Sequence, residues 1–121
     1  MSVDVRHQFK TVTINGVSST LDDLIEQIII IDDLVIVRTD NDRPLAIGDK
    51  SMDRNVVAFR VSGDQSWIIQ TAPHGGDRPK PYVAIENVDG RLIVRNWIGV
   101  DYEVDLTRGT VTAKPGNGRP W

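Results

Sequence analysis

Catalysis at neutral pH needs a base that titrates there, and the chain offers two candidates, His7 and His74. A serine nucleophile would also need the Gly-x-Ser-x-Gly turn that lifts its hydroxyl beside an oxyanion hole, and no such run occurs. There is no cysteine, which excludes thiolate nucleophiles, thiolate metal ligands and disulfides. Metal chemistry is equally poorly served. No His-x-x-x-His pair is present, and Asp40-Asn41-Asp42 lacks both the following glycine and the distal bidentate Glu of a calcium loop. No Gly-x-x-x-x-Gly-Lys-Ser/Thr run exists to cradle a nucleotide phosphate. The nearest approach to a catalytic constellation is His74-Gly75-Gly76-Asp77, a base beside glycines whose N–H groups can approach an oxyanion. Without a serine turn this run reads as a surface loop, and an enzyme centred on His74 and Asp77 is the least supported reading. The chain is expected not to be an enzyme and to carry no metal or cofactor.

Charge is more informative. The 121 residues carry 14 Lys+Arg and 17 Asp+Glu, a net charge of −3, which disfavours nucleic acid as a partner. The acids are segregated. Asp22, Asp23, Glu26, Asp32, Asp33, Asp40, Asp42, Asp49 and Asp53 fall in one stretch, opposed only by Arg38, Arg43 and Lys50. Such a stretch can be a run of solvated turns, and turn formation alone accounts for Asp32 and Asp33. It can also be an acidic face that docks on a basic protein, since complementary charge speeds encounter and fixes register. On the docking reading the partner-binding residues are Asp22, Asp23, Glu26, Asp40, Asp42, Asp49 and Asp53, joined by the aromatic anchors Trp97 and Trp121. Trp67, which alternates with Ile69, is expected in the core instead.

The elements that must position these residues are strands. Val, Ile and Thr make 36 of the 121 residues against 6 Leu and 5 Ala, and branching at Cβ favours a pleated surface. One strand is predicted over 5–14, with His7, Phe9, Thr11 and Thr13 on one face and Val12 and Ile14 on the other, ending at the hairpin turn Asn15-Gly16. Two patterns compete over 20–28. Thr20 with Asp22 and Asp23 reads as a helix start, and Leu21, Leu24, Ile25 and Ile28 have helical spacing. Against this, Ile28 to Ile31, Asp32-Asp33 and Leu34 to Val37 read as two buried strands around a tight turn. We assign one short helical turn followed by a hairpin. The stretch 39–53 reads as an irregular loop, with at most a brief strand at 45–47.

Further strands are predicted at 56–61, 67–71, 82–86, 92–97, 100–106 and 110–113, with a Pro- and Gly-rich loop over 73–81 and a loose tail over 114–121. The predicted fold is mainly β: a single domain whose antiparallel meander forms a small sandwich or partly open barrel, with at most one short helix. Residues 1–53 would hold the N-terminal strands and the acidic loop, and 54–113 the regular meander. The longest apolar run is four residues, so no membrane span is expected, and the N-terminal residues lack the apolar region of a signal peptide. A cytoplasmic location follows as an expectation.

Two segments repeat at a spacing of about 45 residues, near the period of a propeller blade. Val57-Ala58-Phe59-Arg60-Val61-Ser62-Gly63-Asp64-Gln65-Ser66-Trp67 and Tyr102-Glu103-Val104-Asp105-Leu106-Thr107-Arg108-Gly109-Thr110-Val111 are each a strand, a polar turn with Gly and a second strand. The first resembles the quinoprotein-type blade repeat, although Arg60 stands where that family has Asp, and the second lacks the Trp. Two hairpins do not close a propeller. With Tyr82-Val83-Ala84-Ile85 and Gly90-Arg91-Leu92-Ile93-Val94, the stretch resembles small bacterial proteins that use one blade-like meander, among them immunity proteins of contact-dependent and polymorphic toxin systems. That resemblance implies an inhibitor that binds and neutralises a cognate toxin, a nuclease being one candidate. The alternative is a carbohydrate- or small-ligand-binding module using Trp97, Tyr82 and the loop 73–81. The sequence leaves the oligomeric state open.

Overall fold

In the computed structural model, residues 3–40, 53–71 and 81–113 are described. They form eleven strands and no helix: β1 (Val5–Gln8), β2 (Thr11–Ile14), β3 (Val17–Thr20), β4 (Leu24–Ile31), β5 (Leu34–Asp40), β6 (Val56–Arg60), β7 (Gln65–Ile68), β8 (Tyr82–Val88), β9 (Arg91–Asn96), β10 (Asp101–Val104) and β11 (Val111–Ala113). Every pairing is antiparallel and joins sequence neighbours. The strands make three sheets, β1-β2-β3, β4-β5-β6-β7 and β8-β9-β10-β11, and none closes into a barrel. Among the described residues, no helix is long and apolar enough to cross a membrane.

The sheets stack in three layers, and the sequence of the middle one shows why. In β5, Leu34, Val35, Ile36 and Val37 are all buried, as are Val56, Val57, Ala58 and Phe59 in β6. Successive strand side chains point to opposite faces. Leu34, Ile36, Val56 and Ala58 therefore pack against the third sheet, with Tyr82, Ile85, Leu92, Val94 and Tyr102. Val35, Val37, Val57 and Phe59 pack the other way, against Val12 and Ile14 of the first sheet. A strand covered on both faces must be apolar throughout, so these uninterrupted runs identify the central strands.

Two expectations are corrected. The predicted strand 5–14 is a hairpin, with Phe9-Lys10 as its turn and His7 paired with Val12. Thr11 and Thr13 pair instead with Gln8 and Arg6, and His7 is exposed. The short helical turn over 20–28 is absent: β3 ends at Thr20, the chain bends at Asp22-Asp23, and β4 begins at Leu24. The helical spacing has a β explanation. A bulge lies between Ile25 and Gln27 in the pairing of β4 with β5. The extra residue, Glu26, shifts the alternation by one, so Ile25 and Ile28 pack into the same core although they are three apart. The predicted strand at 45–47, the loop over 73–80 and the tail 114–121 lie outside the described residues.

The second and third sheets are both four-stranded meanders, and the two repeated segments occupy equivalent places in them, as strands three and four. Side-chain amides bridge the sheets at two corners. The Gln27 amide donates to the Ile85 carbonyl at 2.8 Å and accepts from the Ile85 N–H at 3.1 Å, acting as a backbone partner between β4 and β8. The Gln70 side-chain oxygen accepts from the Val111 N–H at 2.9 Å, and its backbone N–H donates to the Gly109 carbonyl at 2.9 Å. Trp67 is buried, as expected, and its indole N–H donates to the Leu106 carbonyl at 2.8 Å. Gly109 lies over its ring at a left-handed φ of 76°, where an added Cβ would come within 2.7 Å of Trp67 Cε3.

Candidate functional site

The antiparallel topology decides which of the acids meet. β4 begins at Leu24, which pairs with Asp40 at the end of β5, and the Thr39 N–H donates to the Asn55 carbonyl just before β6. The bend Asp22-Asp23, Asp40 and Asp53 are thus gathered at one end of the middle sheet. Glu26 is exposed on the bulge close by, on β4. Asp32 and Asp33 form the turn at the other end, with Asp32 in the left-handed region at φ 53°. They make a turn and are not part of the cluster.

Asn55 joins this end to the third sheet. It is buried, and its amide nitrogen donates to the carbonyls of Thr39 at 2.7 Å and Tyr82 at 2.8 Å, while its oxygen accepts from the Tyr82 N–H at 2.9 Å. One residue before Tyr82, the Pro81 carbonyl accepts from the Trp97 N–H at 3.0 Å. Trp97 therefore projects from the adjoining end of the third sheet and is 58% exposed, with Ile98 and the bulged Val83 also exposed.

The individual acids have different surroundings. Asp22, Glu26 and Asp40 are exposed. Asp23 and Asp53 are only 4% and 2% exposed and have partners inside the protein, so neither presents its carboxylate to a docking surface. This corrects the sequence reading of those two: they help build the end of the sheet and do not cover it. Asp42, Asp49 and Trp121 lie outside the described residues, as do His74 and Asp77.

Tyr82 is also corrected as a stacking platform. It is 1% exposed, donates its hydroxyl to the Gln70 carbonyl at 2.8 Å, and meets Tyr102 edge to face with ring centroids 6.3 Å apart. Burial pushes its phenol well above the usual range, with further contributions from Tyr102 and Asp53. It stays protonated and acts as a core hydrogen-bond donor. On the outer face of the third sheet, the Arg95 guanidinium donates to Asp101 at 2.8 Å, which raises the arginine's pKa further.

A feature that sequence reasoning missed lies beside the acidic bend. Phe9 is 73% exposed at a φ of 54°, a conformation costing a bulky residue about 1–2 kcal/mol. The turn is held by the flanking chain: the Phe9 carbonyl accepts from the Ile25 N–H at 2.8 Å and the Lys10 carbonyl from the Leu21 N–H at 2.7 Å. No Gly, Asn or Pro stands at Phe9-Lys10, so no turn signal could have separated β1 from β2. Arg6, His7 and Lys10 of the same hairpin line a shallow surface depression with Phe9 and Leu24, the first residue of β4.

Between the bend and β7 lies a polar cleft of about 220 Å³, lined by Asp22, Asp23, Arg54, Asn55 and Gln65 among others. That is smaller than the roughly 300 Å³ at which small-molecule pockets begin. No three His, Cys, Asp or Glu among the described residues are grouped to hold a metal ion. The arrangement offers exposed carboxylates and solvent-facing aromatic side chains at one end of a rigid sandwich, a set suited to contact with another surface. A search of curated proteins and a search of solved structures each found no match. Residues 2–115 match a family described as a domain of unknown function, DUF7957, and with nearly the whole chain covered the protein belongs to that family.

Proposed function

We propose that the protein is a non-enzymatic, cytoplasmic inhibitor of the immunity type, which neutralises a cognate toxin by covering its basic working surface with the acidic end of the sandwich. The observation that carries this reading is the gathering of exposed Asp22, Glu26 and Asp40 at one end of the middle sheet, with Trp97 exposed at the adjoining end of the third. Carboxylates supply long-range attraction and register, while a desolvated aromatic supplies most of the binding energy at such an interface. The three-layer core supports the role, because an end held by two packed cores loses little freedom on binding.

The test is neutralisation. The protein encoded beside this chain is expressed in bacteria alone and with it. Restored growth with the wild-type chain, and its loss with Asp22→Asn/Glu26→Gln/Asp40→Asn, is the expected result. A neighbour that is harmless, or equally neutralised by the triple variant, contradicts the reading. The exposure of Trp97 also supports a carbohydrate-binding module, but that reading loses Tyr82 to the core. Quenching of tryptophan emission by a sugar, abolished by Trp97→Ala, would favour it.

A further inference from the structure

On the side of the sandwich where β7 leaves the middle sheet, a cleft of about 430 Å³ is lined, among the described residues, by Arg54, Gln70, Thr71, Arg108 and Thr110, with Ile68 and Gly109 also in its wall. Among the described residues the Arg108 guanidinium makes no hydrogen bond and no ion pair; only its backbone N–H is engaged, with Asp105. Arg54 uses Nε alone, donating to the Ile69 carbonyl at 3.2 Å, which leaves its two terminal nitrogens as donors. Gln70 spends its side-chain oxygen on the Val111 N–H, so its amide hydrogens remain available. Among the described residues, the lining side chains thus present hydrogen-bond donors from several directions and no carboxylate, in a protein whose net charge is −3.

We propose that this cleft binds the phosphate group of a small anion, with Arg108 and Arg54 as the charged clamps. Guanidinium forks match oxyanions bidentately. Two of them, with the Gln70 amide and the Thr71 and Thr110 hydroxyls, offer more donors than the two oxygens of a carboxylate use, and suit a tetrahedral phosphate better. Asp22 lines the neighbouring polar cleft that Arg54 also borders, and its exposed carboxylate disfavours an anion there relative to the Arg108 side. None of the described residues lining this cleft belongs to the surface proposed for a protein partner, although Arg54 also borders the cleft that Asp22 lines.

The cleft also has a built-in reporter, since Gly109 in its wall rests on the Trp67 ring. The full chain is titrated with inorganic phosphate, glycerol phosphate and acetate while the amide signals of Gly109 and Thr110 and the Trp67 indole signal are followed by NMR. Saturable shifts with phosphate, roughly tenfold weaker with acetate, are expected. Glycerol phosphate binding as well as phosphate would identify a phosphate ester as the ligand, and its failure would identify the free anion. Arg108→Gln should weaken binding by roughly tenfold and Arg54→Gln by less, whereas Arg91→Gln, on β9 and outside the cleft, should change nothing. No saturable shift with phosphate, equal affinity for acetate, or binding retained by Arg108→Gln overturns the proposal. Arg108 is exposed and its side chain holds nothing in place, so its variant folds and the result is readable.

Discussion

Replacing Asn55 with Ala should be among the most damaging single changes outside the apolar core. The side chain makes three hydrogen bonds in a site where the residue is 5% exposed, to the carbonyls of Thr39 and Tyr82 and from the N–H of Tyr82. Alanine leaves all three backbone groups facing a space that water enters poorly. Leaving a buried polar group unsatisfied costs about 1–3 kcal/mol, and taking the low end for each gives about 3 kcal/mol. With a urea slope of about 1.5 kcal/mol/M, the unfolding midpoint should fall by about 2 M at unchanged slope. Hydrogen exchange at the Tyr82 amide should accelerate beyond what this global loss explains, because its acceptor is gone. A midpoint within about 0.5 M of wild type would refute the reasoning, since it would mean that water replaces the amide at little cost.

Other predictions come from the same contacts. Gly109→Ala places a methyl against the Trp67 ring at a positive φ and should destabilise by about 2–4 kcal/mol, with a changed tryptophan emission, measured by urea titration followed by fluorescence. Gln27→Ala should cost about 1–2 kcal/mol and should deprotect the Ile85 amide in hydrogen exchange while leaving Val94, inside the third sheet, protected. Because the folded state raises the Tyr82 pKa, its contribution to stability is complete below the unfolded tyrosine pKa of about 10 and is lost as pH rises above it. Urea midpoints should therefore fall between about pH 9 and 11, and Tyr82→Phe should flatten that decline while losing the Gln70 hydrogen bond.

The fold was legible where local chemistry and tertiary environment agree. The β-branched bias gave the class, and Asn15-Gly16, Asp32-Asp33 and Arg108-Gly109 marked turns because each supplies a residue that tolerates positive φ. The run Leu34 to Val37 already signalled a strand buried on both faces. What covers those faces could not be read, because it depends on pairings between distant segments. The two errors have specific physical origins. Phe9-Lys10 turns without a turn residue, its conformation set by hydrogen bonds from Leu21 and Ile25. Glu26 is a bulge that gives a strand the spacing of a helix. Charge segregation singled out the stretch, but only the topology separates Asp22 and Asp40 at one end from Asp32 and Asp33 at the other. Burial of Asp23 and Asp53 has no sequence signal, since the same residue type serves the exposed positions beside them.

The acidic end is tested most directly by the rate at which the protein associates with the basic partner proposed for it, with the protein encoded beside it as the candidate, measured by stopped flow at about 20 and 200 mM salt. Our account predicts fast association that slows steeply as salt rises, and a triple variant, Asp22→Asn/Glu26→Gln/Asp40→Asn, that is slow at both and nearly indifferent to salt. Association that is insensitive to salt, or unchanged in the triple variant, would contradict it.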